Sequence, residues 1–165
     1  MRDAFAIRDA TPADHAAILR LNLESERLLS PLDAPRLAHL DRQSAYHRVV
    51  ESDGEVAAFL LVFREAADYD SPNYRWFAER YARFLYVDRI AVSGSHRGRQ
   101  LGHALYENLF AQARADGIDK IVCEFYVVPF NEVSARFHAR FGFREAGRQW
   151  IADGAKQVSL QVAAP

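Results

Sequence analysis

From Tyr86 to Leu105 the chain reads YVDRIAVSGSHRGRQLGHAL, a composition suited to holding an anion. An alternating apolar strand breaks at Ser93-Gly94-Ser95. A helix then opens through the basic run His96-Arg97-Gly98-Arg99-Gln100-Leu101-Gly102-His103. The first N–H groups of a helix have no internal acceptor, and the aligned peptide dipoles place partial positive charge at that end. Glycine lets a phosphate approach the backbone, and Arg97 and Arg99 add full charges. Such a turn is suited to a pyrophosphate. It can equally be a plain basic surface turn, and its spacing is neither G-x-x-x-x-G-K-[ST] nor G-x-G-x-x-G.

A second group lies between Asn131 and Phe143. At about 100° per residue, Asn131, Ser134 and His138 fall within about 60° of one another on a helix. Val133, Phe137 and Phe141 form the adjoining stripe, so one side is expected to pack while its neighbour presents polar groups. His138 is competent as acid or base, or is a core histidine with a satisfied hydrogen bond. Asp88 shares a strand face with Phe84, Tyr86, Ile90 and Val92. A carboxylate there costs free energy unless it is paired or faces a cavity. It can accept from amides, pair with an arginine, or act as a general base. Glu124 and Tyr126, on one face of KIVCEFYVV, are further candidates to relay a proton. His96 and His103 read as phosphate or solvent contacts. With no H-x-x-x-H pattern or carboxylate–histidine cluster, no metal site is expected. The single cysteine, Cys123, excludes an intramolecular disulfide and reads as a buried thiol.

The elements that position these residues can be taken in order. Ala4 to Arg8 reads as a strand, followed by a helix capped by Thr11 with Pro12 at its first position. A short helix is expected after Pro35. Tyr46–Val50 and Val56–Phe63 form a hairpin around Asp53-Gly54. Residues 65–80 read as a long loop bearing Tyr69, Tyr74, Trp76 and Phe77. A strand runs from Phe84 to Val92, and the helix opening at Leu101 ends near Gly117. The strand from Lys120 to Val128 then pairs in parallel with the earlier one through a right-handed crossover. After the Asn131 helix, a strand from Phe143 to Ile151 turns at Asp153-Gly154 into Val158–Val162. With 165 residues, half of them hydrophobic, and a net charge of −1, the chain reads as one soluble domain spanning 1–165. Nothing in its charge favours nucleic acid. No apolar run approaches the roughly 20 residues of a membrane span, and no signal pattern opens the chain. A cytoplasmic protein is the default.

Together these stretches resemble the GNAT superfamily of N-acetyltransferases. Its acyl-CoA loop follows (Arg/Gln)-x-x-Gly-x-(Gly/Ala), read here from Arg97 to Gly102 with Gln100 at the first glycine position. Its later motif, Asn-x-x-(Ala/Ser)-x-x-Phe-(Tyr/His)-x-x-x-Gly-Phe, is met by Asn131, Ser134, Phe137, His138, Gly142 and Phe143. The resemblance is strong over residues 84–151, while the N-terminal third matches in element order.

It implies an α+β fold with a mixed, mostly antiparallel sheet flanked by helices. That sheet would splay between the strand ending at Val92 and the strand starting at Lys120. It further implies transfer of the acetyl group of acetyl-CoA to a primary amine by direct attack in a ternary complex. The acceptor would be a small molecule or a protein N-terminus. The backbone of Ile90, Ala91 and Val92 would hold the pantetheine arm, and Asn131 would touch it. The amides of Arg97, Gly98, Arg99, Gln100, Leu101, Gly102 and His103 would hold the pyrophosphate. His138 stands where the family usually has a tyrosine donating to the leaving thiolate, and Asp88 is the paired catalytic candidate. An alkylamine of pKa about 10.4 must first lose a proton. Gln100 is tolerable if its dihedrals are helical. The alternative is a CoA-binding sensor without transfer activity. No nucleic-acid or membrane partner is expected, and the closing hairpin suits a homodimer.

Overall fold

The computed structural model describes residues 4–165. In chain order its strands and helices are β1 (Phe5–Asp9), α1 (His15–Glu24), α2 (Ala34–Gln43), β2 (Tyr46–Ser52), β3 (Glu55–Arg64) and α3 (Pro72–Ala78). They continue as β4 (Leu85–Val92), α4 (Leu101–Ala115), β5 (Ile121–Val128), α5 (Glu132–Arg140), β6 (Arg144–Ile151) and β7 (Lys156–Ala163). The strands form a seven-stranded mixed sheet in the order β1-β2-β3-β4-β5-β7-β6. No helix of the described residues is long and apolar enough to cross a membrane. The chain divides into two compact units, each built from two segments. One is Met1–Phe63 with Val87–Phe110, and the other is Arg64–Tyr86 with Ala111–Pro165.

In the first unit β1 and β2 pair antiparallel, with Phe5 opposite Ser52. The expected helix start is a short 3-10 turn, Pro12–Asp14, running into α1. Asp14 Oδ2 accepts from the Thr11 N–H at 2.8 Å, and its carboxylate takes both Arg8 NH groups at 2.8 and 2.9 Å. The guanidinium holds the Asp14 pKa down to about 2. Helix α2 begins where Asp33 Oδ1 accepts the Arg36 N–H at 2.8 Å, with Pro35 in the first turn. The β2–β3 turn places Asp53 and Gly54 at φ 54° and 76°, the left-handed pair that an Asp-Gly hairpin requires. Strand β3 is buried continuously from Ala57 to Phe63, as befits a central strand.

In the second unit the segment expected to be a loop contains helix α3. Ser71 Oγ accepts the Tyr74 N–H at 3.3 Å, and Pro72 occupies the first turn. The helix is then fixed by burying Asn73, Tyr74 and Phe77 on one side. The Tyr74 hydroxyl donates to the Arg64 carbonyl at 2.7 Å, and its ring stands 5.5 Å from Tyr86 and 5.8 Å from Phe84. Strand β5 pairs in parallel with β4 at Leu85–Ile121 and Tyr86–Val122. Its other edge pairs antiparallel with β7 along its length, and β7 pairs with β6. Asp153, at φ 55°, turns the closing hairpin as expected.

The packing of α5 differs from the sequence reading. Val133 is 80% exposed and Phe137 and Phe141 are half-buried, while His138 is the residue turned fully inward. Phe125 and Phe143 hold its ring at centroid distances of 5.8 and 5.2 Å, which rotates the buried face of the helix onto the histidine.

Candidate functional site

The anion loop leaves the end of β4 at Ser93, whose N–H donates to the Ala57 carbonyl on β3 at 2.7 Å. A 3-10 turn, Gly94–His96, follows. Its first amide, that of Gly94, donates to the Glu24 carboxylate at 3.2 Å, so one carboxylate already sits against this backbone. His96 is buried with Nδ1 3.1 Å from Ser95 Oγ, making it a packing residue of the turn. Gly98 has φ 82°, and a Cβ built there would meet nothing within 4 Å, so the space over the loop is open. Gln100 has φ 58°. The condition of helical dihedrals is not met: Gln100 lies just outside α4 in the left-handed region, and its carbonyl accepts the Ala104 N–H at 3.0 Å. A side chain in that region carries strain of about 1–3 kcal/mol, the physical reason for a glycine preference at this place.

Helix α4 is anchored by Leu101, Leu105 and Leu109, all buried, and by the Tyr46 hydroxyl donating to Asn108 Oδ1 at 2.8 Å. These contacts aim its N-terminal amides at the loop. Arg97 is exposed, whereas Arg99 pairs with Asp53 of the β2–β3 turn at 3.3 Å. His103 Nε2 lies 2.9 Å from Glu107 Oε1 along the helix. At the end of β4, Ala91 is buried and Ile90 and Val92 are half-buried.

Asp88 is paired. Its Oδ2 takes the Arg89 Nε–H at 2.6 Å, with both side chains nearly buried. Arg89 also donates to Asn22 Oδ1 at 2.9 Å, to the Ser30 carbonyl at 3.1 Å and to Ser30 Oγ at 3.0 Å. The pair therefore ties β4 to the end of α1 and to the segment after it. Of the readings open for Asp88, the arginine pairing is seen here, with Arg89 as the partner.

The second unit holds the other candidates. Glu124 Oε1 accepts from the Tyr86 hydroxyl at 2.8 Å and from Asn73 Nδ2 at 3.1 Å. Gln149 Nε2 donates to Asn73 Oδ1 at 2.9 Å. Tyr126 lies under Lys156, whose Nζ is 5.1 Å from the ring centroid. Asn131 caps α5: its Oδ1 accepts the Ser134 N–H at 3.1 Å, leaving its side-chain amide N–H groups for other partners. His138 Nδ1 is 2.7 Å from the Ser134 carbonyl, an atom that can only accept, so Nδ1 carries the proton. Burial, opposed by that bond, lowers the His138 pKa to about 4. At neutral pH it is an uncharged imidazole with its N–H committed. Burial likewise raises the Cys123 thiol well above its ordinary value, as suits an inert core thiol. Among the described residues no group of three or more His, Cys, Asp or Glu is placed to hold a metal.

Within the first unit, then, the structure joins Ile90–Val92, Arg97–His103 and Asp88. Within the second it holds Asn131, Ser134 and His138 on α5, with Glu124 and Tyr126 on β5. Sequence reading missed Arg89, Asn73 and Gln149. Arg89 carried a faint signal as a charge inside an apolar strand. Asn73 fell in a segment read as loop, and Gln149 carried no signal.

The sequence profile described as the acetyltransferase (GNAT) family matches residues 15–143. No curated protein matches the chain. Among solved structures, Ard1 from Thermoplasma volcanium superposes at TM-score 0.78 with 17% identity, over 98% of this chain and 97% of its own. The ribosomal-protein-S18-alanine N-acetyltransferase from Escherichia coli gives 0.73 and 17%, over 98% and 94%. Arabidopsis thaliana NAA60 in complex with acetyl-CoA gives 0.76 and 13%, over 98% and 100%. With a family profile matching residues 15–143, most of its length, the chain belongs to the GNAT family of acetyltransferases.

Proposed function

We propose that the chain is an acetyl-CoA-dependent N-acetyltransferase that modifies a primary amine, on a small molecule or a protein N-terminus, by direct attack in a ternary complex. The observation that carries this reading is the loop at the head of α4. There the open space over Gly98, the left-handed turns at Gly98 and Gln100 and the exposed Arg97 meet the first amides of α4, which as a class have no acceptor within the helix. A diphosphate fits that donor set. Relatives of this fold include one solved with acetyl-CoA and one named for the alanine of a ribosomal protein, which supports both the donor and the amine class. The family match crosses both units, which is why we treat 1–165 as one catalytic domain, and we place it in the cytoplasm.

The backbone of Ile90, Ala91 and Val92 holds the pantetheine arm, the amides from Arg97 to His103 hold the pyrophosphate, and Asn131 offers its amide to the arm. Acetyl-CoA supplies a thioester already activated for acyl transfer. Glu124, an acceptor fixed by two donors, takes the proton of the acceptor ammonium through water so that the amine can attack. As the amide forms, the coenzyme departs as a thiol, and one proton is released overall. Asp88 serves the site through Arg89, which braces the end of α1. His138, neutral with its Nδ1–H on Ser134, belongs to the α5 group of site residues; our reading assigns the proton relay to Glu124 in its place.

Calorimetric titration with acetyl-CoA tests the reading at its foundation. The wild-type chain is expected to bind, and Gly98→Val to bind at least tenfold more weakly. A wild-type chain that does not bind acetyl-CoA would overturn it.

A further inference from the structure

Glu124 does not stand alone. The Asn73 amide on α3 donates to it, and Asn73 is itself fixed by Gln149 on β6. Asn73 is buried at 8% exposure and Tyr86 at 1%. A buried carboxylate oxygen costs free energy unless it is hydrogen-bonded, and Oε1 of Glu124 takes two such bonds. The geometry also removes the usual ambiguity of an amide. An ionised carboxylate oxygen only accepts, so the Asn73 atom facing Glu124 is Nδ2, and Oδ1 is left to take the Gln149 Nε2–H at 2.9 Å. The arrangement is a donor aimed at one carboxylate oxygen, with a second residue preventing that donor from turning over.

We infer that Asn73 is a positioning residue for the proposed base, holding Glu124 ionised and in one orientation, and that Gln149 holds Asn73. This rests on the assignment of Glu124 as the acceptor of the amine proton. A hydrogen bond donated to a carboxylate favours its charged form. Two donors on Oε1 therefore hold the carboxylate in its proton-accepting form, and removing one of them weakens that hold. The titratable groups on its side are Tyr86 on β4, which donates to it, and Tyr126, two residues along β5 on the same face, while Cys123 next to it points to the opposite face. Beyond them Lys156 on β7 stands over the Tyr126 ring. Glu124 in turn contributes to the raised pKa of the Cys123 thiol, as a negative neighbour does.

The pH dependence of kcat/KM in acetyl transfer tests the inference, because a purely structural role would lower activity without moving its acid limb. Asn73→Ala is expected to move that limb up by about one pH unit. Asn73→Asp, of nearly the same shape but placing a second carboxyl against Glu124, is expected to move it further. Gln149→Ala, at a half-buried position that endangers folding least, should move it in the same direction by less. Acetyl-CoA affinity by calorimetry should be unchanged in each. If Glu124→Gln abolishes transfer but none of the three variants moves the limb, Asn73 is not a positioning residue and the base assignment survives. If Glu124→Gln transfers acetyl at the wild-type kcat, the base assignment falls and the inference falls with it.

Discussion

His138 shows how a motif residue can keep its place and change its chemistry. Its ring is packed among Phe125, Phe137 and Phe143, and its pKa lies near 4 against an ordinary value of about 6.5. Between those values the unfolded chain binds a proton that the folded chain refuses. Stability is therefore whole above pH of about 6.5 and is lost as pH falls toward 4, by up to about 3 kcal/mol. Denaturant titrations at pH 7 and pH 5 should show this loss in the wild type and less of it in His138→Phe. That variant is also expected to keep transfer activity, since the imidazole carries no proton in the proposed relay. Asp88→Asn is expected to act the other way, leaving Arg89 buried without its counter-charge and costing about 3–5 kcal/mol in the same titrations. At Gln100, replacement by glycine relieves a left-handed φ of 58° and should raise stability by about 1 kcal/mol, read as a higher midpoint in thermal unfolding.

Helix α3 is the element on which the sequence reading and the structure part. Its Ser71 cap and Pro72 were present as signals, but only seven residues follow the cap before the helix ends, too short a run for a hydrophobic period to declare itself. Tertiary burial of Tyr74 and Phe77 decides the matter. The helix also packs against β6 so closely that a Cβ at Gly147 would lie 2.6 Å from the Trp76 ring. Gly147→Ala is therefore expected to cost about 1–3 kcal/mol in thermal or denaturant unfolding, and adding Trp76→Leu should recover much of it. Where local chemistry decides, the reading succeeded. The Asp53-Gly54 hairpin, the short helix at Pro35, the α4 helix ending before Gly117 at φ 67° and the Asp153-Gly154 turn all follow from residues within a few positions of one another. The inward rotation of α5 did not, because Val133, Phe137 and Phe141 make as good an apolar stripe on paper as the buried side does. Contacts with Phe125 and Phe143 choose between them.

Across the whole molecule, legibility falls off with sequence distance. Both family motifs were readable because each is continuous: one loop and helix start, one helix and its exit. The polar groups that brace the candidate site are not. Asn73 and Glu124 lie 51 positions apart, Asn73 and Gln149 lie 76 apart, and Arg89 reaches back 67 to Asn22. Each compact unit is likewise assembled from two separated segments, so such partners meet only once the chain has returned on itself. The coenzyme half of the proposal therefore rests on local sequence, and the amine half on long-range geometry. The two meet in one experiment: incubation with acetyl-CoA and a pool of small amines and N-terminal peptides, with free thiol and acceptor mass followed together. Thiol release that depends on an acceptor, matched by acetyl addition to its amine, is the expected result. Bound acetyl-CoA with neither thiol release nor an acetylated acceptor across that pool would contradict the assignment of transfer and leave a coenzyme-binding domain in its place.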